Sequence, residues 1–155
     1  MQRLLNTTGK ILGVDFGDKR TGLAVCDKTR FLASGIGQIS VGGMQKTAER
    51  IAEIVREENI TGGIVVGLPV NMNGSLGPRA EHAQKFASIL EEKLANTGLS
   101  ELPVVMIDER MTTMAASRYL NETDTRGQKR KSVIDTLSAE IILQNALDKL
   151  KNMKN

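Results

Sequence analysis

Two short apolar runs restrict the fold of this chain more than any other feature. "GGIVVGLPV" (62–70) and "PVVMIDER" (103–110) each follow a segment whose apolar residues recur at helical spacing. Ala48, Ile51, Ala52 and Val55 mark a helix over about 44–58. Ala80, Ala83, Phe86, Ala87, Leu90 and Leu94 mark another, with Pro78 suited to its first turn. A run that is apolar on both faces and is reached through a helix is what a buried parallel strand requires. Upstream, residues 10–16, 21–27 and 31–40 read as three consecutive strands, with Asp27–Arg30 as the turn between the last two. Those three form an antiparallel meander. Helices near 112–121 and 133–150 complete the order, so the expected class is α/β, a mixed sheet with helices packed on its faces.

Composition narrows the function. At 155 residues the chain suits one domain, 1–155, with a sizeable core. The net charge of +3 does not by itself demand a nucleic-acid partner. Cys26 is the only cysteine, which rules out an intrachain disulfide and points to a reducing compartment. "MQRLLNTTGK" lacks the apolar stretch of a secretory signal, and no run approaches the ~18 apolar residues of a membrane span. The expected location is the cytoplasm, with no membrane partner. With no Trp, one Tyr and three Phe, single-strand binding through aromatic stacking is poorly supported. One Cys and one His exclude a Cys/His zinc site. His82 lies among polar neighbours and reads as solvated or locally bonded, with no nucleophile elbow nearby. No Walker pattern is present.

Chemistry gathers at strand ends instead. In "ILGVDFGDKRTGLAV" (11–25) an apolar strand ends in Asp15, followed by Gly17, Lys19 and Arg20. Glu109 ends the 103–110 run beside Asp108 and Arg110. Asp135 shares a helical stripe with Ala139, Ile142, Leu143, Ala146, Leu147 and Leu150, and is expected in the first turn of the last helix. Ligands of open α/β sheets collect at the carboxyl ends of strands. Three carboxylates brought together repel, and a divalent cation such as Mg²⁺ resolves the conflict. Two such ions about 4 Å apart can activate water against a phosphodiester. Each residue also has an ordinary reading: a turn-forming Asp15, a surface Glu109–Arg110 pair, and a helix-start charge at Asp135. The pattern leaves their convergence open.

Cations suited to phosphate lie beside these positions. Lys19 and Arg20 follow Gly17, which permits a sharp turn. "RGQKRK" (126–131) carries Arg126, Lys129, Arg130 and Lys131 within "NETDTRGQKRKS", which reads as a polar loop able to grip phosphates with marked salt dependence. A solvated charged face is its ordinary alternative. "GLPVNMNGSLGP" (67–78) leads into a helix N-terminus, a place where anions bind.

"GVDFGDKRTGLAV", "VVGLPVNMNGSLGPRAEHAQKFA", "DERMTT" and "KSVIDTLSAEIILQ" together resemble the YqgF, or RuvX-like, family of bacterial proteins, over about residues 10–150. The resemblance implies an RNase H-like fold related to RuvC-type junction resolvases. It implies a metal-dependent nuclease using Mg²⁺ or Mn²⁺, whose members are described as processing the 5′ end of pre-16S ribosomal RNA; resolution of Holliday junctions is an older proposal. The family's acidic positions fall on Asp15, Glu109 and Asp135, as catalytic and metal-holding residues, and no clear fourth carboxylate follows from its motif. Strand alternation aims Asp108 away from Glu109. Lys19, Arg20, Arg110, Arg126, Lys129, Arg130 and Lys131 are the expected nucleic-acid contacts. Expected partners are structured RNA, DNA junctions or ribosomal particles, with the protein a monomer or a homodimer. A non-catalytic nucleic-acid binder is the rival class. An ATP-binding fold of the sugar-kinase and actin type needs two such domains and more chain than this.

Overall fold

The computed structural model describes residues 1–108 and 127–154, with side chains described for 1–108 and 136–154. The elements are α1 (Gln2–Leu5), β1 (Lys10–Asp15), β2 (Thr21–Cys26), β3 (Ala33–Ile39), α2 (Met44–Glu57), β4 (Ile60–Leu68), α3 (Pro78–Asn96), β5 (Val104–Asp108) and α4 (Gly127–Lys154). The expected helix near 112–121 lies outside the described residues. The five strands form one sheet in the order β3-β2-β1-β4-β5. β1 runs antiparallel to β2 and β2 to β3, giving the expected meander. β1 pairs parallel with β4, and β4 parallel with β5. The carboxyl ends of β1, β3, β4 and β5 therefore share one edge of the sheet.

Alternation along β1 divides the core between the sheet's two faces. Leu12 and Val14 join Leu23, Ile51, Val55, Ile64, Val66, Phe86, Leu90 and Leu94 under α2 and α3. Ile11 joins Ala24, Val65, Ile107, Leu4 and the stripe Ala139, Ile142, Leu143, Ala146, Leu147 and Leu150 of α4. All six stripe residues predicted by the spacing are buried. Gly13 faces α4 so closely that a Cβ there would stand 2.7 Å from Leu143 Cβ and 3.1 Å from the Ala139 carbonyl oxygen. Among the described residues, no helix is long and apolar enough to cross a membrane.

Three features depart from the sequence reading. α1 was not anticipated from its single apolar pair; Leu4 is fully buried. Arg30 ties this segment down, its guanidinium donating to Gly9 O (2.8 Å), Leu4 O (2.8 Å) and Thr7 Oγ1 (2.9 Å). β4 spans Ile60–Leu68, set two residues ahead of the expected 62–70, with Gly67 and Leu68 still paired to Ile107 and Asp108 of β5. α4 begins at Gly127, not near 133, and takes residues 127–132 of the stretch expected to be a loop; residues 121–126 lie outside the described residues. Gln128, Lys129, Arg130 and Lys131 are unbranched and lose little rotamer freedom in a helix, so polarity does not mean loop here. Asp135 consequently sits eight residues past Gly127, more than two turns in, and the first turn holds no acidic residue. The helix-dipole rationale for Asp135 fails, since that effect fades within the first turn.

The Asp27 turn shows a separate electrostatic device. Its carboxylate accepts from the Thr29 hydroxyl and from the Leu32 and Phe31 amides (3.0 Å each), which together pull its pKa down to about 2. A lowered native pKa means that the stabilisation is complete above roughly pH 4 and is lost as pH falls toward the folded value. Asp27→Asn is expected to flatten the acid limb of a Tm-against-pH curve between pH 4 and 2, as read by circular dichroism. Gly13→Ala is expected to destabilise the protein by about 1–3 kcal/mol in urea unfolding, because α4 must move to admit the methyl group.

Candidate nucleic-acid active site

Asp15 is the last residue of β1 and is half-buried. It stands on the face of Ile11 and Gly13, under α4, by strand alternation. The next residue goes the other way. Phe16 packs under α3, its ring stacked on Phe86 with centroids 4.3 Å apart and planes inclined by 11°. The "VDFG" segment is thus anchored by an aromatic pair on one face while its carboxylate is assigned to the other. Gly17 follows with its α-carbon against the Arg20 carbonyl oxygen, leaving no room for a side chain. The turn it closes carries the exposed Lys19 and the half-buried Arg20.

β5 ends level with this point. Val14 of β1 pairs with Val66 of β4, which pairs with Met106 of β5, so Asp15 is level with Ile107. Ile107 faces α4, and Asp108 therefore faces away from it, as the alternation predicts. Glu109, Arg110 and Arg126 lie outside the described residues.

The third position is supplied by α4, which runs against the direction of β1. Gln144 Oε1 accepts from Ala33 N–H at the β2–β3 turn (2.9 Å), Ala139 and Leu143 cover Gly13, and Thr136 reaches Gly37 O (3.4 Å). Following the helix toward its start leads to the carboxyl edge of the sheet. Position 135, one turn before Ala139, is placed over the end of β1 by this register. Helical geometry also sorts the cations that were expected to act as a loop. At about 100° per residue, position 131 lies roughly 40° from position 135 around the axis, whereas 129 and 130 lie about 120° and 140° away. Lys131 alone of the three shares the stripe of Asp135. Among the described residues, no group of three His, Cys, Asp or Glu side chains gathers; Glu109 and the Asp135 side chain are outside that set.

α3 and its preceding loop border the same edge. The loop after β4 closes on itself: Asn71 N–H donates to Ser75 O (3.0 Å), Gly74 N–H to Asn71 O (2.8 Å), and Ser75 N–H and Oγ to Asn73 Oδ1 (3.0 and 2.6 Å). Pro78 occupies the first turn of α3, as expected. His82 is exposed, its Nδ1 standing 3.7 Å from Asp18 Oδ1 on the β1–β2 turn, beyond hydrogen-bond distance. Sequence reasoning missed both ties between these loops, the Phe16–Phe86 stack and the His82–Asp18 contact. An aromatic directly after a strand-end carboxylate was the available signal for the first.

Comparison with known proteins places this geometry in a family. A family profile described as RuvX, Holliday junction resolvase, matches residues 9–149. The chain belongs to the RuvX family. A protein of Pelotomaculum thermopropionicum named "Putative pre-16S rRNA nuclease" is 46% identical over 140 residues, covering 90% of this chain and 86% of that one. One of Bacillus licheniformis with the same name is 44% identical over 145 residues, covering 92% and 99%. Among solved structures, Thermus thermophilus RuvC in complex with a Holliday junction substrate aligns with a TM-score of 0.54 at 14% identity, covering 91% of this chain and 94% of that one. The yeast mitochondrial Holliday junction resolvase Ydc2 aligns with a TM-score of 0.53 at 11% identity, covering 98% and 87%. These two establish the RuvC-like, RNase H-like fold. The RuvX family is a nuclease family, and its enzymes are phosphodiester hydrolases.

The Phe16–Phe86 stack is the support most open to test. Phe16→Ala is expected to cost about 2 kcal/mol in chemical denaturation, below the ~3–5 kcal/mol of a fully buried Phe.

Proposed function

We propose that this protein is a metal-dependent nuclease that processes the 5′ end of pre-16S ribosomal RNA in the cytoplasm. Relatives at 44–46% identity that carry that name, matched over nine-tenths of the chain, are the observation that carries the reading. The placement of Asp15 supports it: a half-buried carboxylate closes the central strand at the sheet's carboxyl edge, over which the register sets position 135. Asp15, Glu109 and Asp135 are the proposed catalytic carboxylates and the holders of Mg²⁺ or Mn²⁺. Their all-oxygen donor set fits a hard divalent cation. Such a cation, when bound, supplies Lewis acidity and a more acidic water.

The chain's own groups bind and orient. Lys19 and Arg20 position the strand beside Asp15, Arg110 does so beside Glu109, and Arg126, Lys129, Arg130 and Lys131 hold phosphates along the start of α4. Phosphate contacts of this kind fix register and dominate affinity. Resolution of DNA four-way junctions is the second reading, supported by the description of the family profile. Symmetrical cutting of a junction would require a homodimer, whereas trimming RNA, alone or within ribosomal particles, is within reach of a monomer.

The test uses end-labelled pre-16S leader RNA and a DNA four-way junction, each with Mg²⁺, Mn²⁺ or EDTA. Metal-dependent cuts in the RNA, reduced by Asp15→Asn to the level seen in EDTA, are expected; full activity in Asp15→Asn would overturn the assignment. Cuts confined to the junction would select the second reading. Binding should weaken with salt, with the log–log slope falling by roughly 0.7 for each phosphate contact removed. From the helical register, Lys131→Ala is expected to reduce cleavage more than Arg130→Ala does.

A further inference from the structure

The turn between β2 and β3 displays two large apolar side chains at the end of the sheet away from the candidate site. Phe31 is 68% exposed and Leu32 is 60% exposed. β2 runs antiparallel to β1, so this turn lies at the edge where β1 begins. Single exposed apolar residues need no explanation. These two are adjacent, and the backbone that carries them is fixed from three directions. Asp27 Oδ1 accepts from the Phe31 and Leu32 amides (3.0 Å each). Gln144 of α4 donates to Phe31 O (3.2 Å) and accepts from Ala33 N–H (2.9 Å). Arg30, just before them, is bonded to Gly9 O, Leu4 O and Thr7 Oγ1. A partner meets a surface that is already ordered, so docking incurs little further entropy cost.

Between the turn and α4 lies a recess lined by Arg30, Phe31, Leu32, Gln144, Leu147, Asp148 and Lys151. Charge selects what fits it. The turn (27–32) and the last turns of α4 (147–154) carry Lys28, Arg30, Lys149, Lys151 and Lys154 against Asp27 and Asp148. Both carboxylates are engaged within the fold, Asp27 by its own turn and Asp148 by Gln144 Nε2 (3.2 Å). Arg30 is likewise spent on its oxygen acceptors. The lysines are not: among the described residues, no carboxylate stands within ion-pair distance of Lys28 or Lys151. The next carboxylate back along α4, Glu140, lies about two turns away beside Gly35. Lys151 Nζ stands over the face of the Phe31 ring, 5.6 Å from its centre. That face is closed to a stacking base and Leu32 offers no ring, so a nucleic-acid platform is disfavoured. A large apolar side chain flanked by carboxylates matches both the recess and the lysines.

We propose that the β2–β3 turn and the end of α4 form a docking site for a partner protein, which seats a large apolar side chain of an acidic segment in the recess. The site goes beyond the nuclease reading and stands apart from it. A protein held there leaves the carboxyl edge of the sheet open.

The experiment selects short random peptides displayed on phage against the full chain and, in parallel, against the Phe31→Ala/Leu32→Ala variant. Enriched sequences are expected to place Leu, Ile, Phe or Met beside Asp or Glu. By fluorescence polarisation they should bind the double variant, and Lys151→Glu, about tenfold more weakly than wild type. Both variants should keep Tm within about 3 °C of wild type, since the altered side chains are exposed. Peptides that bind wild type and the double variant alike would overturn the proposal. So would enrichment of basic or purely polar sequences, or a selection that returns no binder. An RNA duplex that displaces the enriched peptide from wild type, and that the double variant fails to bind, would assign this face to nucleic acid and overturn the protein partner.

Discussion

The contact of α4 with the central strand governs the arrangement of this molecule. β1 is covered on both faces, and at Gly13 the helix comes close enough for Leu143 Cβ and the Ala139 carbonyl to occupy the volume of a side chain. Close approach sets the helix's height above the sheet, and interdigitated packing leaves it little freedom to slide. Antiparallel alignment then carries the start of α4 to the carboxyl edge. Two faces of core, built on α2 and α3 below and α4 above, thus converge on one place where β1 can end in a polar residue.

Much of this was legible in the residues. The apolar runs of β1 and β4, both buried in the sheet, and the 3.6-period stripe of α4 were each readable as core. In α4 the pattern dictates the packing because its six buried residues lie on one stripe. Boundaries governed by local charge were less legible. The start of α4 reads as loop by polarity and as helix by propensity, and propensity prevails where unbranched residues extend a helix already fixed by six buried side chains downstream. α1 had almost no pattern to read; it is held by the Arg30 guanidinium, a long-range contact that no local rule foretells. Of the candidate site, Asp15 was legible at its strand end; Asp135, read at a helix start, lies more than two turns inside α4, and the resemblance to a family supplied the chemical expectation.

Continuation of the helix changes what the basic stretch can do. A flexible loop could turn all of its cations toward one phosphate at the cost of ordering the chain. A helix has already met that cost and distributes its residues around an axis. Helical geometry sets position 131 close to position 135 around the axis and turns positions 129 and 130 well away from it, so the proposed phosphate contacts are spread around the helix rather than gathered on one phosphate.

Residue 135 is hard to account for by helix stability alone. It lies more than two turns past Gly127, where the helix dipole no longer favours a carboxylate. The helical period sets it in line with Ala139, Ile142, Leu143 and Ala146, all buried. The same period that packs α4 on β1 carries this position toward the carboxyl edge at which β1 ends in the half-buried Asp15. Open α/β sheets collect ligands at that edge, which is the physical ground for locating the proposed chemistry there.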